Sequence, residues 1–143
     1  MEIITSNWKE NFPKPKINYR KQGHIYSAQM RIHGNALVFD NKLVLALRKK
    51  IGNLSKHKYF FCEINQDARN FFAVVSEENK KYEAYFLDSS SENYQIINAD
   101  LIKNIQRNLG ISDPKTTSIV VSTSTEKVIQ HNGIWLFPVQ KSN

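Results

Sequence analysis

The residues of this chain best suited to chemistry are its cations, and they are unevenly spread. The 143 residues carry a formal charge of +7. Residues 41–58 hold Lys42, Arg48, Lys49, Lys50, Lys56 and Lys58 with no acid among them. Residues 1–40 hold six cations against three acids, and residues 59–143 hold eight against ten. The whole excess therefore lies in the first 58 residues. Clustered Lys and Arg attract polyanions, nucleic-acid phosphates above all. The candidate phosphate contacts are Lys14, Lys16, Arg20 and Lys21 near the N-terminus, then Arg31, Lys42, Arg48, Lys49 and Lys50. The plainer reading of the same charge is solubility.

Other chemistry finds no support in the residue spacing. His24, His33, His57 and His131 form no HExxH pair, and no P-loop, GxGxxG or GxSxG is present. The acids of "EINQD" and "SEENKK" lie near lysine but lack the paired aspartate that a nuclease metal site needs. Cys62, the single cysteine, sits in the apolar run "KYFFCEI" and reads as a small buried side chain. Neither an enzyme nor a bound cofactor or metal is expected.

The apolar fraction of 41% and aromatic fraction of 11% suffice for a packed core. No apolar run reaches the roughly 18–20 residues of a membrane helix. "MEIITSNWKENF" has an early acid and no apolar signal-peptide region, so a cytoplasmic protein without a membrane partner is expected.

Residues 1–23 contain Pro13 and Pro15 and read as an extended basic arm. His24–Gly34 alternates, with Tyr26, Ala28, Met30 and Ile32 on one side, as a half-buried strand does. Gly34-Asn35 turns into the short strand "ALVF". Asp40 then fits a helix N-cap, Leu43, Val44, Leu47 and Ile51 form one apolar stripe, and Gly52 fits the stop. "KYFFCEI" and "FFAVV" read as a hairpin, Tyr82–Asp88 as a third alternating strand and "YQII" as a short one. A second helix is capped by Asn98, striped by Leu101, Ile102, Ile105 and Leu109, and closed by Gly110. "TSIVVST" and "IWLFPV" follow as strands, and Pro138 points to an edge or strand end. The adjacent pairs among Tyr59, Phe60, Phe61, Phe71 and Phe72 require either two covered sheet faces or an exposed aromatic face on which bases could stack.

"FDNKLVLALRKKIG" and "INADLIKNIQRNLG" read as one element written twice, although any two amphipathic helices would align their stripes; the caps, the stop glycines and the flanking order favour a duplication. A shift of 58 aligns Asp40 with Asn98, Leu43 with Leu101, Val44 with Ile102, Leu47 with Ile105, Ile51 with Leu109 and Gly52 with Gly110. "VF" before the first helix matches "II" before the second, and a hairpin follows each. The fold expected is α+β: two tandem strand-helix-hairpin units, residues 24–88 and 89–143, packed as one pseudo-symmetric β-barrel-like body behind a basic arm, residues 1–23. A single unit cannot bury its own apolar face, whereas two can bury theirs against each other.

Gly34, Leu37, Phe39, Lys42, Leu43, Leu47, Ile51 and Gly52, followed by a hairpin, resemble the AbrB/SpoVT swapped-hairpin family, and Leu109–Ile111 resembles it again. The resemblance implies an interlocked barrel-like body, usually a homodimer that binds DNA; a tandem chain could supply both halves. It also implies DNA contacts near the strand–helix hinge, at Arg31, Lys42 and Arg48. The chain looks similar to small tandem proteins of bacterial and phage genomes. It departs from the family in having Asp40-Asn41 where proline usually starts the helix, and in lacking the turn glycine in its second unit. Residues 1–26 and about 78–93 lie outside the resemblance. The second unit offers only Lys103 and Arg107, beside Asp100, so a DNA face would be lopsided. The expected function is that of a DNA-binding, transcription-regulator-like protein acting on double-stranded DNA as a monomer or homodimer. The alternative is a non-enzymatic protein-interaction or phage structural protein with a protein partner.

Overall fold

The computed structural model describes residues 3–4, 28–64, 69–88, 94–111, 118–124 and 126–141. Its strands are β1 (Ile3–Ile4), β2 (Ala28–His33), β3 (Ala36–Phe39), β4 (His57–Ile64), β5 (Asn70–Ser76), β6 (Gln95–Ile97), β7 (Ser118–Val121), β8 (Ile129–His131) and β9 (Ile134–Lys141). Helix α1 spans Asn41–Ile51 and α2 spans Ala99–Leu109. The architecture is α+β, a curled antiparallel sheet carrying two helices. Its strand order is β1-β4-β5-β9-β7-β2-β3-β6, with β8 beside β9.

The segment 85–88 spans the open side of the curl. Tyr59 and Tyr85 exchange both backbone hydrogen bonds at 2.8 Å, and the Asp88 N–H donates to the Gln95 carbonyl at 2.6 Å. The sequence suggests a full strand over Tyr82–Asp88, but the structure has only these two isolated bridges. A bonded link from β4 to β6 nevertheless results.

Both helices form where local chemistry dictates. The Asp40 carboxylate accepts from Leu43 N at 2.8 Å, and the Asn98 side chain accepts from Leu101 N at 2.8 Å. Each bond satisfies a first-turn N–H that has no helical partner. Leu43, Val44 and Leu47 of α1, with Leu101, Ile102, Ile105 and Leu109 of α2, are buried. They close the larger core over Met30, Leu37, Phe39, Tyr59, Phe72, Ile119 and Phe137. Each such side chain contributes about 1.5–3 kcal/mol of apolar burial.

The adjacent aromatics resolve into two covered faces. Tyr59, Phe61 and Phe72 join the larger core, while Phe60 and Phe71 join a second one with Cys62, Ala73, Val75, Ile134 and Leu136. Tyr82 stacks on Phe60 at 5.0 Å between centroids, and Ile3 and Ile129 pack nearby. All five aromatics are buried, so they form no exposed stacking platform.

Two further details differ from the sequence reading. Strand β8 was hidden inside "EKVIQHNG". Pro138 lies within β9, between β5 and the β7–β8 side, and not at an edge. Its carbonyl accepts from Ser122 N at 2.9 Å, just past the end of β7. The ring nitrogen faces the same side as that carbonyl, so its missing N–H costs no bond to β5 and only the return bond to Ser122, at the place where β7 ends.

Candidate nucleic-acid interface

Helix α1 gathers four of the nine candidate cations. With Leu43, Val44 and Leu47 directed inward, the 3.6-residue period turns Lys42, Leu45 and Lys49 to the opposite face. All three are exposed. Lys42 and Lys49 lie two turns apart, about 10 Å along the axis. Neither has an ion-pair partner among the described residues.

The flanking cations are engaged. Arg48 donates from Nη2 to the Tyr94 hydroxyl, and its guanidinium lies 5.1 Å from that ring's centroid. Lys50 Nζ lies 5.9 Å from the Trp135 centroid on β9. The two side chains therefore clamp α1 to residues far along the chain, which sequence spacing does not reveal. Lys56, exposed in the 3-10 turn Leu54–Lys56 after α1, extends the cationic run. It belongs to the acid-free stretch, which is the signal that points to it.

Arg31 stands apart, exposed on β2 opposite Val38 and Ser118. Lys14, Lys16, Arg20 and Lys21 lie outside the described residues, as does the rest of the arm 1–23 apart from β1.

Lys42 breaks a local rule. A helix N-terminus is the positive end of its dipole and favours acids by about 0.3–1 kcal/mol. The first turn of α1 holds no acid and does hold this lysine, whereas α2 has Asp100 there. The last turn of α1, with Arg48, Lys49 and Lys50, follows the dipole. On α2 the outward cations are Lys103 and Arg107, and Arg107 is bonded to Asn104 Oδ1 at 2.9 Å.

Other reactive groups are silenced by burial. The Cys62 thiol is pushed up to about 12 by burial and then by Glu63, so it carries no thiolate at neutral pH. Burial likewise raises Tyr59, whose hydroxyl donates to the Leu54 carbonyl at 2.8 Å. Among the described residues, no three His, Cys, Asp or Glu side chains are grouped to hold a metal ion, and no helix is long and apolar enough to cross a membrane. Compared with known proteins, the chain matches no family model, no curated protein and no solved structure. The functional reading therefore stands on the residues themselves.

Proposed function

We propose that the chain is a tandem pair of swapped-hairpin units folded into one pseudo-symmetric body, and that it binds double-stranded DNA by its phosphates through α1. The pairings support the first half of this reading. Arg31↔Val38 has its counterpart in Asp88↔Gln95, offset by 57 residues in each strand. Ala28↔Val121 answers to Tyr85↔Tyr59, and Tyr59↔Val74 to Val121↔Val139. Val38↔Gln95 and Phe72↔Phe137 answer to themselves and mark a pseudo-two-fold axis. Apart from those of β1 and β8, every strand pairing then has a counterpart.

The strands keep an offset of 57 up to β6 but the helices keep 58, so the second unit has one extra residue before its helix. That residue is Ile97. Phe39 therefore answers to buried Ile96, and not to Ile97, which is 56% exposed.

The observation that carries the DNA reading is the outward pair Lys42 and Lys49 on a helix without acids, one of them against its own dipole. Lysines held this way meet phosphates as point charges and fix position without reading sequence. The arm cations Lys14, Lys16, Arg20 and Lys21, with Arg31, extend the footprint. The two halves are unequal, because Asp100 and Lys103 stand where α1 has Lys42 and Leu45. One face per chain follows, in a regulator-like, cytoplasmic protein without catalytic chemistry.

A salt titration of binding to a generic duplex tests this. Removing both lysines (Lys42→Gln with Lys49→Gln) lowers the slope of log K against log salt by about 1.8, or 0.9 per phosphate. Neutralising Lys103 and Arg107 leaves it unchanged. Absence of binding by the native protein at low salt sinks the reading. The exposure of Phe86 and Ile97 then favours the alternative, a protein-interaction scaffold.

A further inference from the structure

Leu45, Phe86 and Ile97 are the large apolar side chains most exposed among the described residues, at 62%, 53% and 56%. Two of them have local reasons. Phe86 is approached by Lys58 Nζ, 6.0 Å from its centroid. Ile97 is the extra residue between β6 and α2. Leu45 has neither reason. It stands on the outward face of α1, three residues after Lys42 and four before Lys49, so all three share one surface. Its counterpart in α2 is the exposed Lys103, the type of residue a solvent-facing position ordinarily takes.

Resting on the phosphate-binding reading above, we propose that Leu45 is the base-reading residue of the interface and contacts the thymine C5-methyl group in the major groove. The occupant follows from charge: the two flanking lysines, without an ion-pair partner among the described residues and on a helix whose one neighbouring acid is the capping Asp40, complement phosphates on either side of Leu45. The major groove, about 12 Å wide, admits a helix. Lysines on phosphates carry no sequence information. Leucine has no donor or acceptor, so it can read only an apolar feature. The thymine methyl is the apolar feature the major groove presents.

The test uses two duplexes of identical sequence, one with every thymine replaced by deoxyuridine, which removes the methyl and nothing else. Each is titrated with the native protein and with Leu45→Ala at low and at moderate salt. The native protein binds the thymine duplex about fourfold tighter per methyl contacted, the value of one buried carbon. Leu45→Ala binds both duplexes alike, at the weaker affinity, with an unchanged melting temperature because the side chain is exposed. Equal native affinity for the two duplexes, with salt-sensitive binding intact, overturns the role of Leu45 and leaves the phosphate reading standing. No binding to either duplex at low salt overturns both.

Discussion

Arg48 and Tyr94 lock α1 to the residue that precedes β6: the guanidinium lies 5.1 Å from the ring centroid and donates to the hydroxyl. The Tyr94 carbonyl in turn accepts from Phe39 N at 2.9 Å, so one residue holds both the strand before α1 and the helix itself. A cation engaged in this way is less available to a phosphate than Lys49, its exposed neighbour. Arg48→Gln is expected to lower stability by about 0.5–1 kcal/mol, the range of an exposed cation–π contact. Its effect on the salt slope of DNA binding is expected to be smaller than that of Lys49→Gln. Denaturant melts and the duplex titration, run on the same two variants, check both halves. A larger slope change for Arg48→Gln would show that Arg48 leaves Tyr94 for DNA.

Asp40 joins two elements. One carboxylate oxygen caps α1, and the other accepts from Gln29 N at 3.1 Å, while Asp40 N donates back to the Gln29 carbonyl at 3.1 Å. Asp40→Ala removes the cap, about 1 kcal/mol, and leaves the Gln29 N–H without its acceptor, a further 1 kcal/mol or more. Asp40→Asn retains one acceptor oxygen, enough for one of the two bonds, and is expected to lose about half as much. Equal losses in urea melts would mean that the charge, and not the cap geometry, holds the junction.

The helices were legible in the sequence because everything that makes them is local: Asp40 and Asn98 as caps, the apolar stripes, and Gly52 and Gly110 as stops. The alternation of β2 was legible for the same reason, and Ala28, Met30 and Ile32 are buried as it requires. What escaped depends on distant partners. Pro138 reads as an edge residue until its neighbours are known, and β8 is too short to announce itself. In the tandem arrangement proposed above, the step from an offset of 57 to 58 at Ile97 is visible only once β6 is paired with β3. For the candidate site, the run of cations on α1 was legible. That Arg48 turns to Tyr94 and Lys50 to Trp135 was not, since those aromatics lie far along the chain.

The stop glycines look equivalent in sequence and are not. Gly110 is left-handed, with φ 68° and ψ 34°, a conformation that asparagine also adopts. Gly52 has φ 81° and ψ −120°, a region open in practice to glycine alone. Space is not the constraint, because a Cβ on Gly52 would meet nothing within 4 Å. Gly110→Asn is therefore expected to be close to neutral, whereas Gly52→Asn costs about 1–3 kcal/mol. Thermal melts of the pair decide, and equal shifts would remove the distinction.

Cys62 makes stability depend on alkaline pH. Burial, reinforced by Glu63, raises the thiol from 9.0 to about 12 in the folded chain. Below pH 9 the folded and unfolded chains both keep the proton, and the group has no effect on the balance. Between pH 9 and about 12 the unfolded chain releases it and the folded chain does not. The unfolded state then binds fewer protons, so stability falls as pH rises. Tyr59, raised by burial from 10.0, acts in the same direction above that value. Cys62→Ala is expected to lose about 1 kcal/mol at pH 7 through the missing buried atom, yet to decline less steeply than the native protein from pH 9 upward. Urea melts at pH 7, 9 and 10 give the comparison. Parallel curves for the two proteins would show that the thiol ionises as readily folded as unfolded, and that the face of β4 carrying Phe60 and Cys62 is open to water.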